Sequence, residues 1–416
     1  MSTLVSATPT ATPVAKRTQV PLTANRPRRI ESIDLLRGFV MIIMALDHSR
    51  DYFNRDAYLF DPTDMTHTYP TLFFTRWITH FCAPIFMFLA GTSAFLYGLK
   101  KGQKAESFFL LTRGIWLIFI ELFVVTVGWT FNVHFTFYIL QVIWAFGVSM
   151  IILSALIHLP RNGQLAIAVV LLAGHNLLDG IHIVGNGLPA VGFSFLHEFH
   201  AFSYPNFSFV IGYPILPWVG LITFGHYLGR LYAPDIDADR RKKILLRLGL
   251  IFIAGFIFIR TIDHYGDPNP WSSQKNAVFT LMSFFNVTKY PPSLLYILMT
   301  IGPALLFLAF TEKPLNRLTE KISVFGRVPF FYYLIHIYLL HALAIIASMT
   351  QGHPASQMTG LTNWVTANPQ LKGYGFGLPV VYAMWIIVVI ALYPLCKRFD
   401  AYKRQHQAEK PWLSYL

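Results

Sequence analysis

The stretch Ile33-Asp34-Leu35-Leu36-Arg37-Gly38-Phe39-Val40-Met41-Ile42-Ile43-Met44-Ala45-Leu46-Asp47-His48-Ser49-Arg50-Asp51 reads as one membrane-crossing helix. With its apolar continuation to Phe53 it reaches the roughly 20 residues needed to cross about 30 Å of hydrocarbon. Charged groups inside such a span are costly and persist where they face protein or a watery cavity. Asp34 and Arg37, three apart, fall on one helical face and can pair. Arg37 and His48 are eleven apart, about 16 Å along the axis, and share that face. Asp47 and Asp51 flank His48 and are placed to fix one imidazole tautomer or to stabilise its charged form. The competing reading is an Asp-His-Arg-Asp salt network that only anchors the end of the helix.

The rest of the chain repeats the pattern. Of its 416 residues 54% are hydrophobic and only 13% charged, about half the charge of a soluble domain. Thirty-seven Phe, 20 Tyr and 9 Trp suit helices in lipid with aromatic belts at both interfaces. Ten apolar runs are long enough to span: 33–53, 72–99, 108–131, 135–158, 164–181, 209–232, 244–262, 293–310, 324–347 and 378–396. A shorter one, 277–287, reads as re-entrant or interfacial. The expected fold is an all-α, polytopic transmembrane bundle of about ten to eleven spans.

The net charge of +13 sits in short loops around Lys100, Arg161, Arg230 to Arg247 and Lys313 to Arg327, and in both terminal segments. Such clustering is a topology signal rather than a nucleic-acid surface, and it places both termini in the cytoplasm. Residues 1–29 carry no acid and no apolar core, and read as a disordered cytoplasmic tail, with an organelle transit peptide as the alternative. Residues 30–400 form the expected membrane domain and 401–416 a cytoplasmic C-terminal tail. Cys82 and Cys396 lie in apolar runs, which excludes a disulfide framework and a zinc-finger or iron–sulfur site. His336 and His341 are five apart and His197-Glu198-Phe199-His200 is not a His-Glu-x-x-His helix, so no metal is expected. Phosphate-cradling and nucleophile-elbow motifs are missing from the sequence.

Two further spans hold polar groups. Arg76 and His80 lie one turn apart at the start of 72–99, and Pro84 frees a backbone carbonyl beside them. Gly91, with Ser93, permits close approach of another helix. In 324–347, Arg327 stands at the cytoplasmic mouth, where a cation can meet a phosphate, and Tyr333 with His336 forms a mid-span polar stripe.

Arg29 to Gly38 leading into Asp47 to Asp51 resembles the bacterial relatives of heparan-α-glucosaminide N-acetyltransferase. So do Thr75-Arg-Trp-Ile-Thr-His-Phe-Cys-Ala-Pro84, Tyr213-Pro-Ile-Leu-Pro-Trp218, Thr288-Lys-Tyr-Pro-Pro-Ser293 and Phe325-Gly-Arg-Val-Pro-Phe-Phe-Tyr-Tyr-Leu-Ile-His336. The wider superfamily includes membrane O-acyltransferases that share an Arg or Lys, ten residues, then His; Arg37 and His48 match that pattern. The resemblance implies a multi-pass enzyme of the bacterial inner membrane. It would pass an acetyl group from cytoplasmic acetyl-CoA to an amino or hydroxyl group of an extracytoplasmic sugar or envelope glycan. A histidine would serve as base or transient acyl carrier. Two histidines compete: His48, by the superfamily pattern, with Asp47 and Asp51 beside it, and His67, as counterpart of a loop histidine in the sugar N-acetyltransferase. Arg37, Arg76, His80, Arg327, Tyr333 and His336 are the expected substrate-binding residues. The expected partners are the bilayer, acetyl-CoA and a glycan acceptor, with a homodimer open. A transporter or proton-coupled channel lined by His48, His80 and His336 is the alternative from another class, and a catalytically silent scaffold a third.

Overall fold

The structure, a computed structural model, describes residues 30–415. The tail expected at 1–29 lies outside the described residues. The chain is mostly helical. In order, the helices are α1 (Glu31–Phe53), α2 (Pro70–Thr79), α3 (Cys82–Lys101), α4 (Gln103–Ile120), α5 (Thr126–Thr130), α6 (Val142–Leu156), α7 (Arg161–Gly174) and α8 (Leu188–Leu196). They continue as α9 (Ile215–Gly229), α10 (Ala238–Ile262), α11 (Ala277–Phe285), α12 (Leu294–Phe310), α13 (Arg317–Arg327), α14 (Pro329–Thr350) and α15 (Leu378–His406). Among the described residues, five helical stretches are long and apolar enough to cross a membrane: Pro70–Lys101, Gln103–Thr130, α10, α14 and α15. α6 and α12 are shorter apolar helices. Large apolar side chains such as Phe119, Ile257, Phe258 and Ile390 point outward, while polar groups are buried, the arrangement lipid demands.

Several expected runs are interrupted. The run 135–158 opens with a strand, β1 (Phe137–Leu140), and 209–232 opens with part of another, β3 (Ser208–Ile211), so the chain is not purely α. β3 pairs parallel to β1, with Phe137 opposite Ser208, and antiparallel to β2 (His200–Ser203). These strands are aromatic and β-branched, and with α8 they enclose Phe202 and Ile211. Apolar content alone did not separate them from the helices that follow. The run 324–347 breaks at Val328, where Pro329 starts a new helix. α15 continues past residue 400 to His406.

α1 is the hub, packing against α2, α3, α12, α13, α14 and α15. Its tightest crossing is with α13: a methyl added at Gly38 would overlap the Ile322 carbonyl, and one at Gly326 would overlap backbone atoms of Asp34 and Gly38. Gly91 likewise lets α3 meet the backbone of α9. Between α4 and α5 the helix widens into a π-turn, Glu121–Val125, a distortion common beside functional sites.

Candidate active site

His48 is 9% exposed on α1, and the fully buried His336 comes from α14. His48 Nδ1 lies 2.7 Å from His336 Nε2, and the two rings are within 8° of parallel. His336 Nδ1 sits 2.9 Å from the Tyr332 carbonyl, one helical turn back. A carbonyl only accepts, so His336 carries its proton on Nδ1 and offers a lone pair at Nε2. His48 must then donate from Nδ1, which leaves the lone pair on its own Nε2. That nitrogen makes no hydrogen bond among the described residues. Two neutral imidazoles in series therefore hold His48 in the tautomer of a general base, the role a carboxylate plays in other dyads.

The flanking carboxylates do something else. Asp47 accepts from Arg76 Nη1 at 2.8 Å, Thr79 Oγ1 at 2.8 Å and Arg50 Nη2 at 2.9 Å, with Lys289 Nζ 3.9 Å away. Asp51 takes Arg50 Nη2 at 2.5 Å. The structure thus gives the imidazole a histidine partner instead of Asp47 or Asp51: Asp47 turns to Arg50, to Arg76 of α2 and to Lys289, and Asp51 to its neighbour Arg50. Arg50 is 3% exposed with Nε and Nη1 unpartnered among the described residues.

Other expected site residues scatter. Arg76 joins Asp47, but His80 turns away: its ring packs edge-on to Tyr296, whose hydroxyl donates 2.7 Å to the His80 carbonyl. That is the carbonyl left free because Pro84 has no N–H. His67 lies in the α1–α2 loop, largely exposed, 2.7 Å from both Asp64 Oδ2 and Thr66 Oγ1 and stacked on Phe60. Hydrogen bonds from Thr66 and His67 hold the Asp64 carboxyl down at about 2. No contact joins His67 to His48 among the described residues.

At the other end of α1, Arg37 Nη2 donates to Ser93 Oγ at 2.9 Å and Nη1 to the Gly326 carbonyl at 3.2 Å, with Asp34 at 3.4 Å. Arg113 stands near it, over the rings of Phe109 and Tyr415. Arg327 is committed to the buried Asp400 at 2.8 Å, so its guanidinium is less available to a phosphate than expected. Tyr333 packs edge-on against both dyad rings, with centroids 6.2 Å from His48 and 5.7 Å from His336.

Sequence reasoning missed three neighbours. Glu121, fully buried in the π-turn, accepts the Trp144 N–H at 2.8 Å and caps the start of α6. A lone carboxylate in the run 108–131 was signal enough. Trp129 packs edge-on against His48 at 4.9 Å, but nothing sets it apart from eight other tryptophans in the sequence. Lys289 reaches Asp47 from a distant loop, a closure that only the fold reveals.

Residues 29–259, more than half of the chain, match the family described as heparan-alpha-glucosaminide N-acetyltransferase, catalytic. The chain belongs to that family. As a heparan-alpha-glucosaminide N-acetyltransferase-type chain it brings His48, Asp47, Arg76, Glu121 and Trp129 within the matched region, whereas His336 lies beyond it. It is also distantly similar to the O-acetyltransferase OatA of Staphylococcus aureus. The protein of strain NCTC 8325 / PS 47 is 27% identical over 206 residues, and that of strain MRSA252 is 27% identical over 209 residues. Each match covers 45% of this chain and 32% of the relative. The chain therefore spans about a third of the length of these curated relatives.

Proposed function

We propose that the chain is an integral-membrane acetyltransferase, with ten or more spans and both ends on the basic, cytoplasmic side of a bacterial inner membrane. Acetyl-CoA would bind from that side, its phosphates meeting Arg37 and Arg113, and the acetyl group would pass to an amino or hydroxyl group of a sugar or envelope glycan outside. The observation that carries this reading is the His48–His336 dyad, which leaves one imidazole lone pair in a largely buried site on the central helix. His48 Nε2 takes the acceptor's proton, the acceptor attacks the thioester carbonyl carbon, and the departing thiolate recovers that proton. His336 keeps Nδ1 of His48 protonated throughout. Arg76, Asp47, Arg50 and Lys289 form a rigid polar wall that would orient the acceptor. Family membership and the likeness to an O-acetyltransferase support acyl transfer, and leave the acceptor atom open between nitrogen and oxygen.

Detergent-purified protein tests this by acetyl-CoA binding and turnover. His48→Ala is expected to lose about 10²–10⁴-fold in turnover, the usual worth of a general base, while His67→Ala stays within about twofold of wild type. Loss confined to His67→Ala would move the chemistry to the outer loop. Wild type that neither binds nor turns over acetyl-CoA would sink the reading.

A further inference from the structure

The Trp129 indole N–H and the Tyr333 hydroxyl are both buried and set toward each other, and neither reaches any other hydrogen-bond partner among the described residues. Leaving a buried donor without an acceptor is costly, so a hydroxyl hydrogen that has none, beside an indole N–H, calls for one. An indole N–H can only donate, and a phenol hydroxyl donates readily. Both rings stand edge-on to His48, Trp129 at 4.9 Å and 81°, Tyr333 at 6.2 Å and 73°. The two groups approach each other from α5 and α14. Tyr52, stacked on Trp129 at 5.5 Å, and the Trp364 ring at 5.1 Å hold the indole between them. Rigid donors with no partner beyond each other, next to a base with a free lone pair, are what acyl transfer requires where its charge develops.

We infer that Trp129 Nε1–H and the Tyr333 hydroxyl are the oxyanion hole of this site, binding the carbonyl oxygen of the acyl donor. The inference rests on the acetyltransferase reading. As His48 Nε2 removes the acceptor's proton, the acceptor's heteroatom bonds to the thioester carbon, and the C=O π pair moves onto oxygen. That oxygen is held by the two donors. When the pair returns, the C–S bond breaks and the thiolate takes the proton from His48. Acetylated acceptor and free thiol leave, and the dyad is restored with no other reactant consumed.

Tyr333→Phe and Trp129→Phe are measured beside His48→Ala for acetyl-CoA turnover, acetyl-CoA affinity and melting temperature. Removing one oxyanion donor is expected to lower kcat by about 10²–10³-fold, with the acetyl-CoA dissociation constant and the melting temperature of Tyr333→Phe close to wild type. A trifluoromethyl-ketone analogue of acetyl-CoA, which forms a tetrahedral adduct, should lose affinity in parallel with kcat, a readout that mere packing would not move. Turnover of both Phe variants within twofold of wild type, with His48→Ala inactive, would overturn the inference and leave the acetyltransferase reading standing. A rise in KM at unchanged kcat would also overturn it. Wild type without any acetyl-CoA turnover would overturn both.

Discussion

His336 decides what His48 can do, because it alone sets which nitrogen of His48 carries the proton. His336→Leu keeps the volume of the site but lets the His48 imidazole turn and change tautomer. The expected result is a loss of about 10- to 100-fold in turnover, as for other groups that orient a reacting ligand through its second nitrogen, with acetyl-CoA affinity unchanged in a binding assay. The α1–α2 loop makes a separate prediction. Asp64 is held at about 2 by Thr66 and His67, below its ordinary value, so the loop gains stability from it at neutral pH. That gain is complete above the ordinary carboxylate range and fades as the pH falls toward 2. Asp64→Asn should lower loop protection in hydrogen exchange at pH 7, and the difference from wild type should shrink as the sample is acidified. Much of this chemistry is legible in the sequence: an intramembrane His with flanking charges stands out in an apolar run. Its partner does not, since His336 lies 288 positions away and a histidine pair has no spacing rule. The directions of Asp47 and Asp51 are hidden for a similar reason, because proximity along a helix does not say which way each carboxylate turns.

At the scale of elements, the α1–α13 crossing fixes the Arg37 end of α1. Arg37 reaches the Gly326 carbonyl only because two glycines let the backbones touch. Gly326→Ala is expected to cost about 1–3 kcal/mol, the usual range for overpacking, and to weaken acetyl-CoA binding by displacing Arg37. Thermal melting and ligand titration of the same sample check both. Helix positions were readable from run length and composition, and most runs found their helix. The breaks were less visible. Pro84 and Pro329 are plain punctuation, but the strands Phe137–Leu140 and Ser208–Ile211 are apolar segments whose pairing partners lie about 70 residues apart. A short apolar run does not reveal whether its hydrogen bonds are local or remote.

For the whole molecule, the basic loops predict which side faces the cytoplasm. Cysteines introduced at Lys104 and Gly187 should label from opposite faces of sealed vesicles with an impermeant maleimide, and Cys82 and Cys396 are buried, so the background is low. Labelling from one face would invert or collapse the proposed topology. The dyad at the centre has a bearing on energetics. Each imidazole leans on a neutral partner, and in the proposed reaction the acyl group moves one way as the acceptor's proton moves the other, so that neutral reactants give neutral products. In the proposed reaction coenzyme would enter and leave on the same side with its phosphates unchanged. A full cycle therefore carries no net charge along the bilayer normal, where each elementary charge would feel about 2.3 kcal/mol per 100 mV. Transfer in vesicles is expected to run at the same rate whether the membrane is energised or collapsed with an ionophore, and a cell could go on modifying its surface after its electrical gradient had gone.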